Sequence, residues 1–305
     1  MSRETFLELQ VLKSENNLRL DKFLKQRYPE WGRSAIKKLV NARKIKINGK
    51  SVWLGSWELK TNDQIKIASI PKSKPKGYQE FDPAWIIAED DDLIVVNKPA
   101  GLRSHASRAG GTDNLLDLAR SRWSGVSLFH RLDRDTSGIT LLTKNTEINK
   151  YLDQTFKNLM VGKTYLAVTG TTVKLDHTGV INSRIGDHPK RKDMRAVVEK
   201  GGQRAVTKYK VLAEGAGKRL LAVEIETGRM HQIRVHLDSI GAPIIGDVLY
   251  GGGKSEGKRM LLHAVKLTLP ASDEFEKREF ICGPSDGFYR QLSKDLVTSI
   301  KQFLS

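Results

Sequence analysis

The chain has a single cysteine, Cys282, which excludes an internal disulfide and any multi-cysteine metal site. No apolar run approaches the roughly 20 residues of a membrane span, and the amino terminus lacks the apolar stretch of a secretory signal. A cytoplasmic protein without a membrane partner is the expectation. Carboxylates are in short supply: 35 Asp and Glu face 52 Lys and Arg, a formal net charge of +17. That imbalance favours a polyanionic partner, nucleic acid before membrane.

Several catalytic signatures are also missing. Gly253-Lys254-Ser255 ends like a phosphate-binding P-loop, but Val248 stands where the leading glycine belongs. No Gly-x-Ser-x-Gly elbow is present. His231 and His236 are five apart rather than four and lack the adjacent Glu of a metalloprotease helix. Asp90, Asp91 and Asp92 read as a solvated turn between strands rather than a metal cluster.

What the chain does carry begins with a basic module. Residues 16–67 hold 13 Lys or Arg against 4 acidic residues. Leu20, Phe23, Leu24 and Tyr28 recur at helical spacing, and Ile36, Leu39 and Val40 mark a second helix starting near Ser34. Arg33, Lys37 and Lys38 remain available on other faces of that helix, and Lys44 follows it. Ile45 and Ile47 alternate into the hairpin signal Asn48-Gly49, and Ile65 and Ile67 close the unit. A basic helix followed by a hairpin points to RNA binding. Residues 69–84, with Pro71, Pro75, Lys72, Lys74 and Lys76, read as an extended linker.

From Trp85 onward strands dominate. Leu93–Val96 is a buried-strand run, while Tyr165–Val168, Ala205–Leu212 and Leu220–Ile225 read as further strands. Ile148, Tyr151, Leu152, Thr155, Phe156 and Leu159 share a helical face. Met230, Ile233, Leu237 and Ile240 mark another helix, closed by Gly241 and stopped by Pro243. Without strict βαβ alternation, the pattern predicts an α+β domain around a largely antiparallel sheet.

The densest chemistry lies in Phe129-His130-Arg131-Leu132-Asp133-Arg134-Asp135-Thr136-Ser137-Gly138, which turns into the apolar run Ile139–Thr143. A calcium loop would need a Glu at its twelfth position, where Lys144 stands. Two readings stay open: a solvated turn, or a catalytic carboxylate among basic residues that hold it ionised and bind an anionic substrate. Elsewhere, Arg229, His231, Arg234 and His236 cluster at the opening of a helix, a place that favours anions. Lys163-Thr164-Tyr165 sets an aromatic hydroxyl on a strand beside a lysine.

Taken together and in order, these segments resemble the RluA family of RNA pseudouridine synthases. The resemblance runs through Asn97-Lys98-Pro99-Ala100-Gly101-Leu102 with His105, His130-Arg131-Leu132-Asp133, and Lys163-Thr164-Tyr165. It continues with Thr227-Gly228-Arg229, His231-Gln232-Ile233-Arg234-Val235-His236, Pro243–Asp247 and Leu249-Tyr250-Gly251. It covers about residues 85–270. Met230 departs from it, standing where Thr is common, and Ala271–Ser305 matches too loosely to use. Residues 16–67 are similar to the RNA-binding domain of ribosomal protein S-four.

The resemblance implies an S-four-like domain over 16–68, a linker over 69–84 and a catalytic domain over 85–305 built on a bent mixed sheet with flanking helices. It implies that a uridine in RNA is flipped from its stack, cut at its glycosidic bond, rotated and rejoined through carbon 5. Asp133 would be the catalytic carboxylate, attacking the nucleotide or abstracting a ribose proton. Arg234 would pair with it, and Tyr165 would stack beneath the base and assist proton transfer. Arg131 would help fill the gap left by the flipped base, with His130, Lys98, Lys163 and Arg229 as further substrate contacts. Arg33, Lys37, Lys38 and Lys44 would bind RNA from the first domain. No metal and no organic cofactor is implied, and a monomer is expected. The basic module favours large-subunit ribosomal RNA, with transfer RNA as the alternative. Two other classes remain: an RNA-binding assembly factor on the same fold, and a metal-dependent nuclease using Asp133 and Asp135.

Overall fold

The computed structural model describes residues 7–28, 31, 33–68, 78–106, 113–251, 259–272 and 275–305. Most of the expected linker, the Gly253-Lys254-Ser255 segment and the side chains of Arg33 and Lys38 lie outside the described residues. The chain divides into two compact units, Met1–Gly77 and Tyr78–Ser305.

In the first unit, β1 (Leu7–Gln10), β2 (Ile45–Ile47), β3 (Lys50–Ser51) and β4 (Gln64–Ile67) form an antiparallel sheet in the order β1-β4-β2-β3. Helices α1 (Leu20–Arg27) and α2 (Arg33–Asn41) close its core. Leu20, Phe23 and Leu24 of α1 are fully buried with Ile36, Leu39 and Val40 of α2 and the inward isoleucines of β2 and β4. The Asn48-Gly49 turn has φ of 49° and 81°, the left-handed pair that a tight hairpin of this kind requires.

The second unit adds β5 (Ile86–Glu89), β6 (Leu93–Lys98), α3 (Leu115–Arg120), β7 (Ser127–Leu128), β8 (Ser137–Thr143), α4 (Glu147–Lys157) and β9 (Gly162–Gly170). It continues with β10 (Thr178–His188), β11 (Arg191–Val198), β12 (Gln203–Gly215), β13 (Lys218–Ile225), α5 (Gln232–Ser239), β14 (Leu262–Leu269), β15 (Arg278–Ile281), α6 (Asp286–Tyr289) and α7 (Lys294–Leu304). The strands make one mixed sheet in the order β11-β10-β12-β13-β9-β14-β8-β6-β5, with β15 beside β14 and β7 beside β8. Among these described strands every pairing is antiparallel except β14 with β8.

The central strands are apolar on both faces because helices cover both. Ile94 and Val96 of β6 pack with α3 through Leu115 and Leu118, whereas Leu93 and Val95 pack with α4 through Ile148 and Leu152. Along β9, Tyr165 and Ala167 meet Ile233 and Leu237 of α5, while Leu166 and Val168 meet Leu296 and Ile300 of α7.

Three helix limits differ from the sequence reading. Leu159 lies past the end of α4, with φ of 58° and its side chain 43% exposed. Met230 precedes α5 and is also exposed, and Ile240 follows the helix. The loosely matching tail supplies α7, whose Leu296 and Ile300 are fully buried.

Gly138, at the start of β8, has φ of +116°. A Cβ there would meet the carbonyl carbon of Ala264 in β14 at 2.8 Å. Only glycine allows the parallel step at that point.

Candidate active site

The loop between β7 and β8 is held from several sides before its acidic residue reaches the solvent. The Ser104 hydroxyl donates to the Leu132 carbonyl at 2.8 Å and accepts from its amide at 3.0 Å. The Gly101 amide and the Lys98 ammonium both donate to the Arg134 carbonyl, at 2.8 and 3.2 Å. Thr136 N–H donates to the Asp133 carbonyl at 3.2 Å. Both neighbours of Asp133 are therefore fixed through their backbones, and its side chain, 25% exposed, faces a cleft.

Arg234 comes to that side chain from the first turn of α5. Its Nη1 donates to Asp133 Oδ2 at 3.0 Å, while Nε and Nη2 form a fork on Asp247 at 2.7 and 2.9 Å. Arg234 is 6% exposed and Asp247 1%. Burial alone would lower the Arg234 pKa, but the hydrogen bonds and charges of the two carboxylates outweigh it and raise it. The guanidinium also lies over the Tyr250 ring, 5.0 Å from its centroid. Tyr250 Oη meets His231 Nδ1 at 2.9 Å and accepts from the Arg195 amide at 2.8 Å. His231, at φ of 60°, places its Nε2 3.8 Å from Asp133 Oδ2. Burial holds this imidazole below its usual pKa despite Asp133.

The connection from β13 into α5 is fixed by Gln232. Its side-chain oxygen accepts from Thr227 Oγ1 at 2.7 Å and Arg229 N at 3.0 Å. Its nitrogen donates to Val206 O at 2.9 Å and Thr207 Oγ1 at 3.1 Å. Four bonds satisfy this buried amide, and they set where Arg234 starts.

Tyr165 reaches the same place from β9, paired with Val223 and Ala264 on its neighbours and 8% exposed. Burial first, then the charge of Asp133, push its phenol above the ordinary tyrosine range. Asp133, Tyr165 and Arg234 line an inner recess of about 80 Å³ and a wider cleft of about 840 Å³. Arg103, Arg131, Lys163 and Arg229 add positive charge to the wider cleft.

The other expected contacts divide. Arg131 is exposed at the cleft, with Nη1 3.1 Å from His105 Nε2. Lys163 lies 5.7 Å from the Phe156 ring centroid, its pKa lowered by burial and then by Arg229. Arg229 donates to the Arg204 carbonyl at 3.3 Å. His130 lines the cleft but serves the scaffold: Nε2 accepts from Leu141 N at 3.1 Å, and the ring stacks on Phe156. Burial, then Lys163, bring its pKa down to about 4.

Lys98 requires a correction. It is fully buried, and its ammonium donates to the carbonyls of Pro99, Leu102 and Arg134 at 3.1, 2.7 and 3.2 Å. With all three N–H groups used and no exposed surface, it braces the Asp133 loop instead of reaching substrate. Burial draws its pKa down to about 7. His236, read with the basic cluster at the helix opening, stands in the last turn of α5, buried on Thr207. Arg134 and Asp135 pair with each other at 2.9 Å. Asp90 caps its own turn through Leu93 N and Asp92 N and pairs with Arg278 at 2.8 Å. Among the described residues of the first unit, Lys37 is exposed on α2 and Lys44 is half-buried behind it. The roles of Asp247, Tyr250, Gln232 and Ser104 went unread, although the first three lie inside segments that carried the resemblance.

Residues 92–239 match the RNA pseudouridylate synthase family, and residues 18–65 match the S4 domain. An uncharacterized RNA pseudouridine synthase of Bacillus subtilis, YhcT, is 38% identical over 245 residues, covering 76% of this chain and 79% of that protein. Ribosomal large subunit pseudouridine synthase C of Rickettsia felis is 35% identical over 278 residues, covering 82% and 88%. Synthase D of Nitrosomonas europaea is 34% identical over 261 residues, covering 81% and 73%. The solved structure of human RNA pseudouridylate synthase domain containing 1 overlays with a TM-score of 0.57 at 26% identity, over 71% of this chain and 94% of that one. Kinship at this level, over most of both sequences, makes the chain a member of the RNA pseudouridine synthases, isomerases that convert uridine to pseudouridine in RNA.

Proposed function

We propose that Asp133 is the catalytic carboxylate and that the substrate is a uridine flipped out of large-subunit ribosomal RNA. One observation carries the assignment: a carboxylate at the foot of the cleft, joined to a buried arginine that a second carboxylate locks in place. The glycosidic bond between C1′ and N1 breaks, the base turns, and a bond from C1′ to C5 forms. The C5 proton then leaves and N1 gains one, so the product is an isomer. Asp133 either attacks the nucleotide or takes a ribose proton, and both routes consume its negative charge.

That loss of charge reaches Tyr165. Its phenol is raised partly by Asp133, so it rests protonated and offers a flat, neutral ring beneath a base. When Asp133 is protonated or esterified that contribution disappears, and Tyr165 becomes more acidic while the C5 proton still has to move. Arg131 at the cleft mouth suits the gap left by the extruded uridine, since flipping costs a few kcal/mol of stacking. Arg103, Lys163 and Arg229 suit phosphates. Lys98, His130 and Gln232 position the loops.

Asp133→Asn should abolish pseudouridine formation while RNA affinity stays near that of the wild type. Turnover within about tenfold of wild type would overturn the assignment, because removing an essential proton-transfer or nucleophilic group costs more than that. Relatives named as ribosomal large subunit synthases support the substrate. Chemical mapping of pseudouridine in cells with and without the protein tests it. Loss confined to transfer RNA would refute it.

A further inference from the structure

The first unit exposes apolar side chains that its own folding does not require. Trp53 is 59% exposed, Leu54 53% and Trp57 37%, all on the segment between β3 and β4. The two indoles meet edge to face, with ring centroids 6.2 Å apart. The segment is fixed: the amides of Leu20 and Asp21, which open α1, donate to the carbonyls of Trp57 and Gly55 at 2.8 and 2.9 Å. Those amides would otherwise lack partners at a helix start, so the turn and the helix satisfy each other. The rings are thereby held in place, a cluster that in a soluble protein marks a contact surface.

Trp53 and Leu54 form one wall of a groove of about 800 Å³, with α1 and α2 as the others. The charges at this groove are one-sided. Arg19 and Asp21 pair with each other at 2.8 Å, which leaves Lys22 and Lys37 with no carboxylate among the other lining residues. Residues 69–77, next along the sequence, add three lysines and no acid.

We infer that this groove holds an unpaired stretch of RNA, with a base stacked on Trp53 and the adjoining phosphates beside Lys22 and Lys37. Every base has a face that stacks on indole, whereas the bases of a duplex are already stacked on one another. The inference rests on the first unit being RNA-binding, and it adds that this unit prefers unpaired over paired RNA.

The test uses the full-length protein and a short, labelled, uridine-free RNA, either unpaired or annealed to a DNA complement. Binding is followed by fluorescence anisotropy. Without uridine no turnover occurs, so the outcome is independent of the Asp133 assignment. Trp53→Ala should weaken binding of the unpaired strand by roughly five- to a hundredfold, the usual effect of losing one stacked base. Trp53→Phe should recover most of that loss, and the annealed probe should respond little to either change. An unchanged melting curve would verify that both variants fold. Equal losses on the two probes, or none on either, would overturn the inference.

Discussion

Replacing Arg234 by Ala tests the geometry of the site more sharply than replacing Asp133. Arg234 links a partly exposed carboxylate to a buried one. Its removal leaves Asp247, 1% exposed, with the amides of Leu249 and Tyr250 at 3.0 and 3.3 Å and no countercharge among its contacts. Breaking a buried pair costs about 3–5 kcal/mol. In a unit the size of Tyr78–Ser305 each kcal/mol moves Tm by about 2–4 °C, so Tm should fall by roughly 6–20 °C. Asp133→Asn, by contrast, keeps the fork on Asp247, so Tm should move by no more than about 2–4 °C, as for a pair worth at most ~1 kcal/mol. The double variant Arg234→Ala/Asp247→Leu removes both buried charges and should recover more than half of the lost Tm, while activity stays lost because Asp133 has no partner. Differential scanning calorimetry with single-turnover kinetics reads both. A double variant as unstable as the sum of its two single changes would show that the two residues are not coupled, and the account of Asp247 would be wrong.

Tyr165→Phe keeps the ring and removes the hydroxyl, so it should bind RNA normally but form product markedly more slowly; equal rates would reduce Tyr165 to a stacking surface. Removing residues 1–77 should flatten the dependence of log affinity on log salt by roughly 0.7–0.9 per lost phosphate contact and leave turnover at saturating RNA near normal; an unchanged slope would mean the basic unit faces solvent. Gly138→Ala should destabilise the second unit far beyond the usual 1 kcal/mol or so of a glycine replacement, since the new methyl collides with the Ala264 backbone; a Tm within a few degrees of wild type would contradict the geometry. His263 is fully buried, accepts from Ser137 Oγ and donates to Cys282 O, and burial brings its pKa down to about 4. Between pH 6.5 and 4 the unfolded chain binds this proton and the folded one does not, so stability should fall with pH there by about 3 kcal/mol; His263→Gln should remove that part of the slope.

Much of this structure could be read where a local pattern matched a local cause. Leu20, Phe23 and Leu24 sit inside α1 because their spacing gives one apolar face, and Asn48-Gly49 turns because both residues tolerate positive φ. Leu93–Val96 is apolar throughout because α3 and α4 cover opposite faces. The β10–β11 hairpin escaped notice for the opposite reason. It forms the sheet edge, and only Ile181, Ile185 and Met194 are buried along it. The Asp133–Arg234 pair was expected from the resemblance, but the fork on Asp247 needs a turn at Gly246, with φ of 83°, that no periodicity reveals. Lys98 misled for a similar reason: residue type says charged, and only the three converging carbonyls make its burial tolerable.

The lone parallel step has a consequence for how the protein is made. Ser137 of β8 and His263 of β14 bond to each other across 126 residues of sequence. At ribosomal speeds of about 5–20 residues per second, roughly 6–25 s pass between the synthesis of one strand and its partner. Throughout that interval β8 has β6 along one side, while on the other β7 covers only Leu142 and Thr143, and the Ser137–Gly138 end that β14 will pair stays open. Open strand edges recruit strands from other chains through their unpaired amides and carbonyls. For those seconds the nascent protein depends on whatever shields that edge, and a pause in translation between Thr143 and Leu262 should drive it towards aggregates rather than merely delay it.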